Sequence, residues 1–242
     1  MTYITGTVTP VPAANKDAFI AHARAVWPMF ARHGALRQVE AWGEDIPHGQ
    51  QTDFWRAIQA EDGEVPVFSF TVWPDRATCD AAWAKIMSEA QPELAAMEQM
   101  PYDGRRMFWG GFAPIVERGA AEGNWLQGFV LAVPAANKQS YIEMAEAALP
   151  MFEGHGATHQ VECWGEDVPH GTLTDFYKAA QAQGDEVPLF SWIAWPDRAT
   201  CDRAAQAMQA EHEAGQHQHA QMPFDGMRMF WGGFSIILDE RA

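Results

Sequence analysis

Two glutamates stand in the middle of predicted strands, where a carboxyl group could do chemistry. Glu40 shares the parity of Gln38 and Trp42 along its strand, and Glu162 is its counterpart in the second half of the chain. If this face points between two sheets, burial raises the pKa of the carboxyl, which could then act as a general base or hold a ligand. The alternative is a structural glutamate, hydrogen-bonded at a strand edge or paired with an arginine. The hypothesis to test is that both face one shared internal cavity.

Two histidines are the candidate acid–base partners of these glutamates. His33 and His155 each come directly before a glycine at the end of the first predicted helix of their half. Imidazole titrates near neutral pH, so either could transfer protons. Equally, a histidine at a helix C-terminus satisfies the last backbone carbonyls and the helix dipole. The sequence leaves both roles open.

Aromatic and cationic residues supply the candidate binding groups. The tryptophans recur at strand positions, where they either fill a sheet interface or line a site for an aromatic molecule. The arginines follow Asp-Gly turns, where they either pair with a nearby aspartate or bind an anion. The candidates are Trp42, Trp164, Trp109, Trp231, Arg106 and Arg228.

Metal and cofactor signals are weak. His212, His217 and His219, together with His155 and His159, supply imidazoles, but their spacing matches no zinc finger or HExxH pattern. The stretch from His212 to His219 is expected to be a solvated helix end, and we predict no metal. Nucleotide and nucleophile motifs such as GxGxxG, GxxxxGK[ST] and GxSxG are absent from the sequence, so no cofactor is predicted.

The elements that must position these residues occur twice. A shift of 122 positions aligns Pro12 with Pro134, and the runs WGED, WPDRATCD and MFWGGF each recur at that distance. A unit of this length is a domain rather than a solenoid repeat. The predicted units are residues 1–118 and 124–242, joined by a linker at 119–123. The halves differ most between residues 81–98 and 203–220, so we expect any difference in role there.

Each unit is predicted to be an α+β plait of the ferredoxin-like βαββαβ type with an extra strand. Thr52–Ile58 and Val65–Trp73 are assigned to a hairpin. Bulky apolar side chains occur at both parities of the strands, so both sheet faces must be covered. We therefore predict two units packed sheet to sheet, as a monomer with an internal pseudo-two-fold axis.

Composition excludes several classes of function. The 242 residues carry 16 basic and 32 acidic side chains, a formal net charge of −16, which is unsuited to binding nucleic acid or an anionic membrane. The sequence contains no apolar run of bilayer-spanning length and no secretory signal pattern. Three cysteines without CxxC spacing indicate a reducing compartment. A cytoplasmic protein is expected.

A family resemblance covers essentially all of both units. The motifs are short but occur in one order, and they resemble the YbaA-like family, a bacterial domain of unknown function in the dimeric α+β barrel superfamily. They are His33-Gly34-Ala35, Trp42-Gly43-Glu44-Asp45, Val67-Phe68-Ser69 and Met100-Pro101-Tyr102-Asp103-Gly104, with their counterparts in the second unit. The resemblance implies ferredoxin-like units joined into a barrel and a cytoplasmic location, but no activity. Two units in one chain depart from the usual single-unit form.

Two functions stay open at this point. The first is binding of a small hydrophobic or aromatic molecule in or beside the pseudo-dimer interface. The second is a cofactor-independent enzyme, similar to a monooxygenase or isomerase, that uses a Glu/His acid–base pair; this rests on fold analogy. A closed cavity with a buried glutamate and histidine together would favour the enzyme. A solidly packed interior would favour binding alone.

Overall fold

The computed structural model describes residues 1–88, 93, 100–120, 122–214 and 222–242. Within these residues, each unit contributes four strands, two long α-helices and one short α-helix. In the first unit these are β1 (Tyr3–Pro12), α1 (Lys16–Arg32), β2 (Arg37–Asp45), α2 (Phe54–Ala57), β3 (Glu64–Trp73), α3 (Arg76–Ser88) and β4 (Phe108–Gly119). In the second they are β5 (Trp125–Pro134), α4 (Lys138–Gly154), β6 (His159–Asp167), α5 (Phe176–Ala179), β7 (Glu186–Trp195), α6 (Arg198–Glu213) and β8 (Phe230–Arg241).

The eight strands form one closed antiparallel barrel in the order β1-β3-β2-β8-β5-β7-β6-β4. Within each unit the sheet order is β4-β1-β3-β2 or its equivalent, which leaves the second and fourth strands at the edges. These edges meet across the units, β2 with β8 and β4 with β6. The predicted fold class, two ferredoxin-like units in a single-chain dimeric α+β barrel, is confirmed. The two sheets are joined along their edges as well as facing each other.

The barrel interior is filled by aromatic rings from both units. Phe68 stacks on Phe190 with ring centroids 4.1 Å apart and planes 5° apart. The glycine that faces this pair, Gly6, is required, because a Cβ there would lie 2.8 Å from the Phe190 ring. The residues that β2 and β6 send into this core are Val39, Ala41, Val161 and Cys163, of opposite parity to Glu40 and Glu162. The hypothesis that the two glutamates face one shared internal cavity is therefore wrong.

The strand predicted over Thr52–Ile58 is also wrong, because part of this segment forms the short helix α2. Asp53 caps this helix, accepting hydrogen bonds from the backbone N–H of Arg56 (2.8 Å) and of Gly49 (3.1 Å). Phe54 follows and is fully buried in the barrel core against Phe230 of the other unit. The Asp53 cap and the burial of the Phe54 ring therefore favour a helix here, although the composition of the segment is typical of a strand.

The long helices lie outside the barrel. Between Arg37 and Asp45, strand β2 turns Val39 and Ala41 into the barrel core and Gln38 and Glu40 outward, towards the helices. None of the helices in the described ranges is long and apolar enough to cross a membrane.

Candidate functional site

A cavity of about 520 Å³ lies in the first unit, between the helices α1 and α3 and the outer face of the barrel. Its floor is polar and is formed by strand residues: Thr5, Thr7, Thr9, Gln38, Glu40, Ser69 and Thr71. Its walls are mostly apolar or aromatic, and they are formed by Phe19, His22, Ala23, Val26, Phe30, Phe70, Trp83, Met87, Met100, Tyr102, Met107 and Trp109. All of these residues belong to the first unit, so the cavity lies within that unit and not at the interface between the two.

The mouth of the cavity is unusually apolar for a protein surface. Met87 is 80 % exposed, and Met100 and Trp109 are each 43 % exposed. Trp83 lies beside Trp109, with ring centroids 6.5 Å apart. Exposed large apolar side chains around an apolar opening are typical of a ligand entrance.

Glu40 is the carboxyl group of this cavity, and it is 6 % exposed. Its Oε1 accepts a hydrogen bond from Gln38 Nε2 (2.7 Å), and its Oε2 accepts one from the Ser69 hydroxyl. Burial raises the pKa of Glu40 from its ordinary value of 4.5 to about 7, although both hydrogen bonds act in the opposite direction. The carboxyl group can therefore exchange a proton near neutral pH.

This pKa predicts that Glu40 destabilises the fold as pH rises. Between pH 4.5 and 7 the native chain holds a proton on Glu40 that the unfolded chain has lost, so the free energy of unfolding falls through this window. The complete penalty above pH 7 is about 3 kcal/mol. We expect Glu40→Gln to raise the melting temperature at pH 8 and to have much less effect at pH 5. Thermal melts of the parent protein and of Glu40→Gln between pH 5 and pH 8 measure this difference in melting temperature.

The other titratable groups of the cavity are the same in the parent protein and in Glu40→Gln. Burial, and to a smaller extent the charge of Glu40, raises the pKa of Tyr102 to about 12, so Tyr102 stays neutral throughout. His22 also lines the cavity, and it is present in both proteins. A stability difference that does not change with pH would contradict the buried titration of Glu40.

The equivalent region of the second unit holds larger side chains. Phe129, Leu131 and Ile193 stand where the first unit has Thr7, Thr9 and Thr71, and they pack into the apolar clusters under the second pair of helices. There Tyr141 donates a hydrogen bond of 2.6 Å from its hydroxyl to Glu162 Oε2. Burial raises the pKa of Glu162 as well. The two glutamates thus share a position in the fold but differ in surroundings.

The predicted histidines do not join the glutamates. His33 is the C-cap residue of α1, where its backbone N–H donates to the carbonyl of Phe30 (3.1 Å), and it does not line the cavity. His155 has the same place in α4, and its Nε2 lies 3.4 Å from Glu211. The histidine that the fold brings to the Glu40 cavity is His22.

The predicted anion-binding arginines are occupied by buried carboxylates. Arg106 donates to both oxygens of Glu64, at 2.6 and 2.7 Å, and to the backbone carbonyl of Gln59 (3.0 Å). Gln59 has a φ of +49°, so the guanidinium holds a left-handed turn in place. Arg228 repeats these bonds with Glu186. Arg106 and Arg228 also donate from Nε to the turn aspartates Asp103 (3.1 Å) and Asp225 (2.9 Å), which is the pairing that the structural alternative expected.

Two of the candidate tryptophans are buried, a third lines the cavity, and the fourth is exposed. Trp42 and Trp164 are buried, and Lys16 and Lys138 lie over their rings with Nζ 5.0 and 4.8 Å from the ring centroids. Trp109 lines the cavity, and its counterpart Trp231 is 38 % exposed.

The candidate metal-binding histidines lie only partly within the residues that the structure describes. Among the residues that the structure describes, no three His, Cys, Asp or Glu side chains gather as a metal ion would require. His217 and His219 lie outside the described residues.

The cavity residues that sequence reasoning missed are His22, Tyr102, Ser69 and the floor threonines. A comparison of the two units of the sequence gives a signal for the floor threonines. Thr7, Thr9 and Thr71 of one unit become large apolar residues in the other, and such a polar-to-apolar change at outward-facing strand positions marks a surface that is covered in one unit and open in the other.

A profile for proteins of unknown function, DUF1428, matches residues 2–104 and again residues 124–226. The chain belongs to this family. The uncharacterised DUF1428 relative YbaA of Escherichia coli K12 is 46 % identical over 116 residues, which cover 48 % of this chain and 98 % of YbaA. A YbaA of Shigella flexneri matches to the same extent. The resemblance to the YbaA-like family seen in the sequence is confirmed.

Solved structures confirm the barrel fold for this DUF1428 protein. A proposed monooxygenase of Fusobacterium nucleatum superposes with a TM-score of 0.58 at 9 % identity, over 99 % of this chain and 94 % of the other. A proposed monooxygenase of Lactobacillus acidophilus gives 0.55 at 9 % identity, over 99 % and 96 %. At this level of identity the likeness concerns the fold alone.

Proposed function

We propose that this protein binds one small, mainly aromatic molecule per chain in the cavity of the first unit. The observation that carries the proposal is the cavity of about 520 Å³, with aromatic walls and a single buried carboxyl group on a polar floor. Small-molecule sites commonly have this size and this mixture of apolar walls with a few polar groups. Phe129, Leu131 and Ile193 fill the equivalent space of the second unit, which supports a single site per chain.

A binding titration with 2-naphthol tests this proposal. The bicyclic ring suits the aromatic walls, and we expect saturation at one molecule per chain with a dissociation constant on the order of 100 µM. Trp83 and Trp109 line the cavity, so their fluorescence reports occupancy, and calorimetry gives the stoichiometry. Absence of saturable binding by any naphthalene probe, or two equivalent sites per chain, would refute the proposal.

A second candidate function is acid–base catalysis on the bound molecule. It is favoured by one observation, the pKa of about 7 at Glu40, which suits a general base at neutral pH. The pairing differs from the expected one, because His22 and not His33 lines the cavity. Glu40→Gln separates the candidates, since it removes the base and leaves the apolar cavity able to bind.

A further inference from the structure

In the second unit, the buried Glu162 accepts a hydrogen bond from the hydroxyl of Tyr141. Tyr141 and Phe19 occupy the same position on α4 and α1, and their rings contact the same neighbour in each unit. The centroid distance is 5.8 Å from Tyr141 to Phe224 and 5.7 Å from Phe19 to Tyr102, with interplanar angles of 58° and 62°. The rings are therefore placed alike, but Phe19 lacks the hydroxyl that bonds Glu162 in the second unit. Glu40 accepts instead from Gln38, whose counterpart Gln160 donates to the carbonyl of Leu149.

Glu40 is thus a buried carboxyl group without the donor that its counterpart has. The buried carboxyl of Glu64 is satisfied by the fork of Arg106, whereas Glu40 has no arginine or lysine beside it within the described part of the chain. A donor delivered by a ligand would occupy the position that the Tyr141 hydroxyl takes in the second unit.

The first unit lacks the Tyr141 hydroxyl, but it has a different hydroxyl on the ring beside Phe19. Tyr102 stands where the second unit has Phe224, it lines the cavity, and its phenol makes no hydrogen bond to any residue that the structure describes. The cavity therefore presents an acceptor, the Glu40 carboxyl, and a neutral hydroxyl that can donate. A ligand hydroxyl satisfies both groups, because it donates and accepts at one oxygen. An ammonium group can only donate, and a carboxylate can only accept.

We propose that the ligand is an aromatic hydroxyl compound whose hydroxyl donates to Glu40 and accepts from Tyr102, in the manner in which the Tyr141 side chain serves Glu162. This inference rests on the proposed function, since it names the class of molecule that the first-unit cavity takes. Aromatic side chains, among them Phe19, Phe30 and Trp83, provide the surface on which its ring packs.

A series on one scaffold tests the class of ligand. We expect the purified full-length protein to bind 2-naphthol at least about tenfold more tightly than 2-methoxynaphthalene, which keeps the oxygen but cannot donate. In titrations at pH 8, above the pKa of Glu40, 2-naphthoate should bind more weakly still, because the ionised Glu40 repels it, and (2-naphthyl)methylammonium should bind no better than the methyl ether. Equal affinities, or tightest binding of the ammonium, would overturn this inference while leaving the proposed function intact. No binding of any member would remove both.

The variant Phe19→Tyr tests the mimicry directly. The new hydroxyl should reach Glu40 as the Tyr141 hydroxyl reaches Glu162, so it should abolish the preference for 2-naphthol over its methyl ether. Tyr141→Phe is the matched control in the second unit and should leave this preference unchanged. A preference that survives Phe19→Tyr in a folded protein, as judged by its melting curve, would contradict the assigned position of the ligand hydroxyl.

Discussion

The variant Thr7→Phe/Thr9→Leu/Thr71→Ile is expected to lose binding of 2-naphthol by at least about 100-fold. Each new residue is the one that the second unit carries at the same place, where it packs under the helices α4 and α6. The side chains therefore suit this fold, and in the first unit they should fill the cavity. Burying more apolar surface in place of hydroxyls should also keep the melting temperature at or above that of the parent. Calorimetric titration and thermal melts measure the two effects.

A pair of matched substitutions controls this result. Ala23 lines the cavity on α1, and Ala145 is its counterpart among the tightly packed residues of α4. We expect Ala23→Leu to weaken binding with little change in stability. Ala145→Leu should retain binding but lose about 1–3 kcal/mol of stability, because the second unit has no space for the added carbons. If the triple variant still bound 2-naphthol at full affinity, the ligand would have to lie outside this cavity.

Arg106→Met is expected to lower the free energy of unfolding by about 3–5 kcal/mol, as is usual when one partner of a buried ion pair is removed. The substitution leaves Glu64 buried without its two charged hydrogen bonds and releases the left-handed turn at Gln59. Urea denaturation at pH 7 measures the change.

The pH dependence identifies Glu64 as the cause of that loss. The hydrogen bonds from Arg106 hold the pKa of Glu64 below its ordinary value, so the pair stabilises the fold above that ordinary value and stops doing so as acid protonates the carboxyl. The deficit of Arg106→Met should therefore shrink below about pH 4. The double variant Arg106→Met/Glu64→Leu should recover much of the lost stability. Failure to recover any would indicate that the turn at Gln59, rather than the buried charge, dominates.

The fold was predictable because the chain repeats itself. A shift from Pro12 to Pro134 divides it into units of domain size, and apolar residues on both faces of the strands require a second unit to cover each sheet. The segment Thr52–Ile58 was not predictable from composition, since its aromatic residues suit a strand. Its conformation depends on the Asp53 cap and on a pocket for Phe54 that the other unit provides.

The site was predictable only in part, and Glu40 shows why. Its burial and its raised pKa follow from a carboxyl group in mid-strand, but the side to which it points does not. Each face of β2 carries polar and apolar residues, with Gln38, Glu40 and Trp42 on one and Arg37, Val39 and Ala41 on the other, so the pattern does not tell which face enters the barrel core. The structure places Val39 and Ala41 there. Tyr102 comes to the cavity of Glu40 from a distant part of the chain, and no local pattern contains that arrangement.

The edge pairing of β2 with β8 and of β4 with β6 has an evolutionary consequence. In an assembly of two identical units, any substitution that shapes one pocket is made in both, and a change that suits a ligand must also suit the barrel twice. Covalent duplication removes this constraint. The second unit can carry apolar packing under its helices, while the first unit carries an open cavity and a buried glutamate. The duplication thus allows two gene halves of common origin to differ in sequence, and the proposed recognition of a ligand by the first unit alone is one such difference.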